Sequence, residues 1–383
     1  MIDFDTVIER RNTDSVKWDR YRDRDILPLW VADMDFASPP AIIQALQERV
    51  AHGVFGYGNA PRGLLDAILA YVADHNGWGL HPEWIVWLPG LVTGLNLACR
   101  ATGSPGDVVL TLTPVYPPFL SAPNLAGRKL ATAPLRLARD RYTIDWDGLE
   151  ESVTADTSLF LLCNPHNPVG RVYETEELER LARFCERHDL TICADEIHAG
   201  LVLDKSRRHR SIGSLGPELA QRTITLMAPS KAFNMPGLGF SFAVIPDPAL
   251  RARFRGHMKG IVPDINVLGF AAALAAYREG EPWRRALIDY LRRNAETLVA
   301  AVRAMPGLGV ASVEATYLAW IDARGLGVEN PQRFFEGAGV GLSDGADFGA
   351  PGFVRLNFGC RRALLEEALG RMHQALSIHK PPG

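Results

Sequence analysis

The 383 residues carry 41 basic and 44 acidic side chains, a net charge of −3, and 47% of them are hydrophobic against 22% charged. That balance suits a globular chain with a large core, long enough for two or three domains, and leaves no basic surplus for nucleic acid or an anionic membrane surface. The N-terminus, MIDFDTVIERRNTDSVKWDR, is charged almost from its first residue and has no apolar signal core, and no run of ~20 apolar residues follows, so a cytoplasmic protein without a membrane span is expected.

The first 45 residues read as an arm. From about residue 105 short apolar runs alternate with amphipathic stretches: DVVLTLTP, SLFLLCNP, LTICADE, TITLMAP and FSFAVIP each read as a buried strand. Between them, 175–187 spaces Leu178, Leu181, Ala182 and Cys185 like the buried face of a helix. Thr175 is the expected N-cap, with an incomplete capping box because Leu178 stands three residues on. Strands alternating with helices predict an α/β fold, a mostly parallel central sheet sandwiched by helices. Residues 268–303 predict two helices divided near Gly280 and Pro282. Segments 316–322 and 353–359 predict strands and 361–376 a closing helix, together a smaller α+β domain. The expected organisation is an arm, 1–45, joining the small domain; a large α/β domain, 46–278; and the small domain, 279–383. The tail HKPPG is expected to be frayed.

Cys99, Cys163, Cys185, Cys193 and Cys360 form no CxxC pair and no ligand-spaced cluster with histidine. Buried reduced thiols are expected, with neither disulfides nor a metal site.

Open α/β sheets bind ligands beyond the carboxyl ends of their strands. Four expected strand ends carry polar groups there: Tyr116 after 108–113, Asn164 and Asn167 after 158–163, Asp195 and His198 at the end of 190–194, and Ser230 and Lys231 after 223–228. Packing alone does not call for this; a multiply contacted cofactor does.

In order and spacing, NTDSVKWD, LPLWVADMDF, FGYG, NPHNPVGRV, ADEIH, SKAFNMPG and FVRLNFG resemble fold-type I, aminotransferase-like pyridoxal-phosphate enzymes, and within them the cystathionine β-lyase (MalY/PatB-type) branch of carbon–sulfur lyases. The resemblance covers nearly the whole chain. It implies that Lys231 carries pyridoxal 5'-phosphate as a Schiff base and serves as the catalytic base, and that Asp195 keeps the pyridine nitrogen protonated. It gives Asn167 the phenolic oxygen and Tyr116 the ring face, and it places His198 beside the cofactor. Backbone N–H groups at Val92 and Thr93, with the hydroxyls of Thr93 and Ser230, are the expected phosphate donors. Tyr57 matches the tyrosine that reaches the phosphate of a neighbouring subunit, which implies a homodimer with shared sites. Arg355 would take the substrate α-carboxylate, with Trp30 and Val31 lining the pocket.

Each assignment has a plainer counterpart. Asn167 and Tyr116 could mark turns, His198 a hydrogen-bonded loop histidine, Arg355 a structural salt bridge, Trp30 a core residue and Tyr57 part of a GYG turn. Two positions depart from the wider fold type: Ala228 stands where a phosphate-binding serine is common, and Gly239 where many aminotransferases carry a phosphate-binding arginine. The expected activity is β-elimination from cystathionine or a related cysteine thioether, giving a thiol, pyruvate and ammonia. An aminotransferase is the alternative, and a non-catalytic ligand sensor a more distant one.

Overall fold

A computed structural model describes residues 2–379. Its central sheet has seven strands: β1 Ile85–Leu88, β2 Val108–Thr113, β3 Lys129–Pro134, β4 Thr157–Cys163, β5 Thr191–Asp195, β6 Thr223–Met227 and β7 Ser241–Val244, in the spatial order β1-β7-β6-β5-β4-β2-β3. Strands β3, β2, β4, β5 and β6 run parallel, and β7 is antiparallel to both of its neighbours.

The apolar runs are unbroken because both faces of the sheet are covered. Along β4, Leu159, Leu161 and Cys163 join a core with helix α1, Leu91–Ala101, while Phe160 and Leu162 join the opposite core with helix α2, Thr175–Arg187. Gly94 lets α1 lie close to the sheet: a Cβ there would stand 2.8 Å from Leu226 and 3.1 Å from Leu88. At the start of α2 the expected cap moves back by one. Glu174 is the N-cap and Thr175 the first helical residue, so the third helical residue is Glu177, whose carboxylate accepts from the Glu174 N–H at 2.9 Å.

Helices α3, Val267–Glu279, and α4, Glu281–Arg303, are separated at Gly280. A second, antiparallel sheet follows, β8 Gly309–Val310, β9 Leu318–Asp322, β10 Ser343–Asp344 and β11 Phe353–Asn357, in the order β8-β9-β11-β10, and helix α5, Arg362–Ile378, closes the chain. The arm is built into this part of the molecule. Leu27–Pro28 pairs in parallel with Val340–Gly341, and Phe4, Leu29, Met34 and Phe36 share a core with Leu318, Leu356 and Leu365. Helix Pro40–Ala51 runs through the expected boundary at 45/46, and Leu201, Phe233 and Met235 from the large part join the same core. His379, counted with the frayed tail, is tied to the Leu326 carbonyl at 2.9 Å; residues 380–383 lie outside the described residues.

Candidate active site

The carboxyl ends of β2, β4, β5 and β6 open into one cavity of about 240 Å³. Tyr116, Asn167, Asp195, His198, Ser230, Lys231 and Arg355 border it, as do Val31 and Ala32 of the arm and Gly90 to Val92 at the start of α1.

Lys231 follows β6, and its free surface opens into the cavity. Burial lowers its amine to about 8; the carboxylates of Asp33 and Asp195 oppose that shift and Arg355 adds to it. Asp195, the last residue of β5, is 4% exposed and accepts from the Ile197 N–H at 3.0 Å. Burial raises its carboxyl to about 7, against the pull of that N–H and of Lys231. A cationic partner arriving at this carboxylate would favour its ionised form.

His198 is 2% exposed, and among the described residues its Nδ1 has no hydrogen-bond partner. Burial, with Lys231 and Arg355 nearby, lowers the ring to about 3, so it stays neutral at ordinary pH.

Arg355 crosses from β11 into the cavity wall. Its Nη1 donates to Asn167 Oδ1 at 3.1 Å, and its Nη2 to the Trp30 carbonyl at 2.8 Å and to Ser343 Oγ at 3.2 Å. Among the described residues no carboxylate pairs with this buried guanidinium, and its Nε has no partner. A buried cation without a counterion is costly and calls for an anion from outside.

Helix α1 has Gly90 as its N-cap with no side-chain cap bond, and Gly90, Leu91 and Val92 border the cavity, so the N-terminal end of a helix, which favours an anion, stands at that end. Val92 borders the cavity; Thr93, the next residue, does not. Ala228 borders it with a methyl group where a hydroxyl is common. Gly239 has φ +61, a backbone conformation in which an arginine would be strained, which gives a physical reason for glycine at that position.

Two expected residues sit elsewhere in the protomer. The Trp30 ring is turned away, its Nε1 donating to the Lys17 carbonyl at 3.1 Å and its face under Arg20; only its carbonyl meets Arg355. Tyr57 is fully exposed and borders no part of the cavity.

Three residues that sequence reasoning passed over hold the arm across the site. Asn234, with φ +50, donates to the carbonyls of Met34 and Phe36 and accepts from Met34 N–H. Asn357 donates to the carbonyls of Val31 and Asp33, and Tyr317 to that of Ala32. A glycine-free SKAFN turn and a strand asparagine beside Arg355 were the available signals.

These groups fit pyridoxal phosphate. An uncapped helix start with Ser230 suits its phosphate, a buried carboxylate its ring nitrogen, and a buried amine of lowered basicity its aldehyde. Residues 24–372 match the family model for aminotransferase class I and II. Cystathionine β-lyase PatB of Bacillus subtilis is 38% identical, over 98% of this chain and all of its own. The crystal structure of OvoB is 52% identical, with a TM-score of 0.97 over 99% of this chain and all of that one. Cystalysin from Treponema denticola, solved with a pyridoxal 5'-phosphate cofactor, is 32% identical, with a TM-score of 0.94 over 99% and 100%.

Proposed function

The chain belongs to the class I and II aminotransferase family, in its cystathionine β-lyase branch, and from that membership and the cavity's geometry we propose that it is a pyridoxal-phosphate-dependent carbon–sulfur β-lyase. It cleaves a cysteine thioether and water to a thiol, pyruvate and ammonia. The observation that carries this reading is the convergence on one cavity of Lys231, Asp195 and Arg355, the last without a carboxylate partner among the described residues.

When bound, pyridoxal phosphate supplies the electron sink that makes the Cα proton of an amino acid acidic. Lys231 holds the cofactor and, once released, takes that proton; burial lowers its basicity, which favours the neutral amine that can accept it. Asp195 holds the ring nitrogen in its cationic form. Asn167, Tyr116 and His198 hold the ring, while Ser230 and the N–H groups of Val92 and Thr93 hold the phosphate. Arg355 binds the substrate carboxylate and fixes which Cα bond faces Lys231. Val31 and Ala32 wall the substrate side.

The reading includes a homodimer. Val54, Phe55 and Tyr57 are each more than half exposed on one segment, an apolar stretch suited to burial against a second copy. Tyr57 then completes the partner's phosphate site. A cytoplasmic setting agrees with five buried cysteines, all free.

The test is chemical trapping. Purified protein absorbs as an imine, and borohydride fixes the cofactor on a single peptide containing Lys231. Attachment to another lysine would overturn the assignment.

A further inference from the structure

The Ala32 carbonyl accepts two hydrogen bonds, from Lys231 Nζ at 2.5 Å and from the Tyr317 hydroxyl at 2.8 Å. Every neighbouring carbonyl of the arm is also held. Trp30 O takes Arg355 and Ser343, Val31 O takes Asn357, and Asp33 O takes Asn357 and Lys17. Ala32 is the one whose donors are the cofactor lysine and a phenol.

Tyr317 is built to hold its place. It is 1% exposed, follows Thr316 at φ +72, and sets its ring edge-on to His198 with centroids 6.1 Å apart. Its own carbonyl accepts from Phe358 N–H at 2.8 Å, which anchors it to the strand end beyond Arg355. Burial holds the phenol well above its ordinary range, so it remains a neutral donor. Among the described residues its hydroxyl has no acceptor other than Ala32.

We propose that Tyr317 is a positioning residue for Lys231: it fixes the Ala32 carbonyl as the acceptor that holds the lysine amine whenever that amine is free. Lys231 has two states, bound to the cofactor or released by substrate. In the released state an unrestrained four-carbon side chain would sample many rotamers. An acceptor locked from its other side confines the nitrogen to one point in the cavity wall. The role rests on the lyase reading for its place in turnover, but the capture of cofactor by the free amine does not depend on reaction type.

The test substitutes Tyr317→Phe, which keeps the ring and leaves Ala32 O its bond from Lys231, so the fold is retained. In the loaded protein at rest the cofactor, on the proposed reading, holds the Lys231 nitrogen, so the imine absorbance and its pH titration are expected to stay as in the parent. Capture of pyridoxal phosphate by cofactor-free protein, followed by stopped-flow absorbance, slows several-fold. With a thioether substrate kcat falls about tenfold, a part of the roughly 10²–10⁴ that a placed general base contributes. KM is unchanged, because the Arg355 contacts do not involve Tyr317, and deuterium at Cα slows kcat more than in the parent. Parental capture rate and kcat would overturn the proposal. So would a shifted imine spectrum with KM raised alongside kcat loss, the signature of a purely structural residue. A parent that captures cofactor but eliminates no thiol would refute the lyase reading alone, with the capture measurement still deciding the role of Tyr317.

Discussion

Arg355 and Asn167, 188 residues apart in the chain and attached to different sheets, meet at 3.1 Å in the cavity wall. The contact orients both partners. Asn167 turns its carbonyl oxygen to the guanidinium, which leaves its NH₂ as the donor for an anionic ring oxygen. On the proposed roles, one bond sets the residue assigned to the substrate carboxylate against the residue assigned to the ring oxygen.

If Arg355 binds the substrate carboxylate as proposed, its removal is expected to affect substrate more than cofactor. Arg355→Ala is expected to lower kcat/KM for free amino acids by roughly 10–10²-fold, the loss of charged hydrogen bonds of about 1.5–3 kcal/mol. Bound cofactor, read from the imine absorbance, is expected to remain. Unchanged kinetics would rule out the carboxylate role.

Two ionisable groups of the cavity, Asp195 and Lys231, give the cofactor-free protein a pH signature. Asp195 titrates near 7 when folded against an ordinary value of 3.8, so the folded state holds the extra proton between those limits, and stability from this group falls as pH rises from about 4 to 7. Lys231 titrates near 8 against 10.5, so the unfolded state holds the extra proton there, and stability returns as pH rises from 8 towards 10.5. Cofactor-free Asp195→Asn is expected to melt higher than its parent at pH 7.5, with a difference that shrinks towards pH 4. A difference independent of pH would contradict the buried, costly carboxylate.

Much of this site was legible because its residues stand at the ends of strands whose two faces are both buried. Val108–Thr113 and Thr157–Cys163 are nearly continuous apolar runs, and the polar residues after them stand out. The edge strands were not legible. Ile85–Leu88 is four residues long, and Lys129–Pro134 buries only one of its residues, Ala133, so neither carries a strong period. Glu174 was missed as a cap because glutamate is a less common capping residue than the threonine beside it. Trp30 shows a deeper limit. Its neighbours pointed to the right segment, but its backbone carbonyl, not its ring, meets Arg355. Tyr317, Asn234 and Asn357 act through arm carbonyls hundreds of residues away, and a local pattern cannot report such pairings.

His198 offers a neutral ring with an unpartnered Nδ1 at the cavity. His198→Phe keeps the edge-on contact with Tyr317 and removes both nitrogens. Cofactor affinity is expected to fall about 2–10-fold, the value of one ordinary hydrogen bond. The pH–rate profile keeps its limbs, since a ring titrating near 3 contributes none between pH 5 and 9. Loss of a limb in the variant would show that the histidine ionises during turnover.

Tyr57 gives the dimer a direct test. Its side chain is fully exposed in the protomer and does not border the cavity of its own chain. Tyr57→Phe is expected to weaken cofactor retention by about 0.5–1.5 kcal/mol, measured by dialysis against phosphate buffer. Sedimentation of the parent is expected to give a dimer, and an active monomer would exclude a shared site.

The most direct test of the lyase account is a product balance on L-cystathionine and S-alkyl-L-cysteines, with thiol, pyruvate and ammonia followed together. β-Elimination predicts thiol and pyruvate in equal amounts, no requirement for a keto acid, and little sustained turnover of L-alanine, which has no leaving group at Cβ. Rapid keto-acid-dependent turnover of L-alanine, with no thiol released from any of the thioethers, would contradict it and identify an aminotransferase instead.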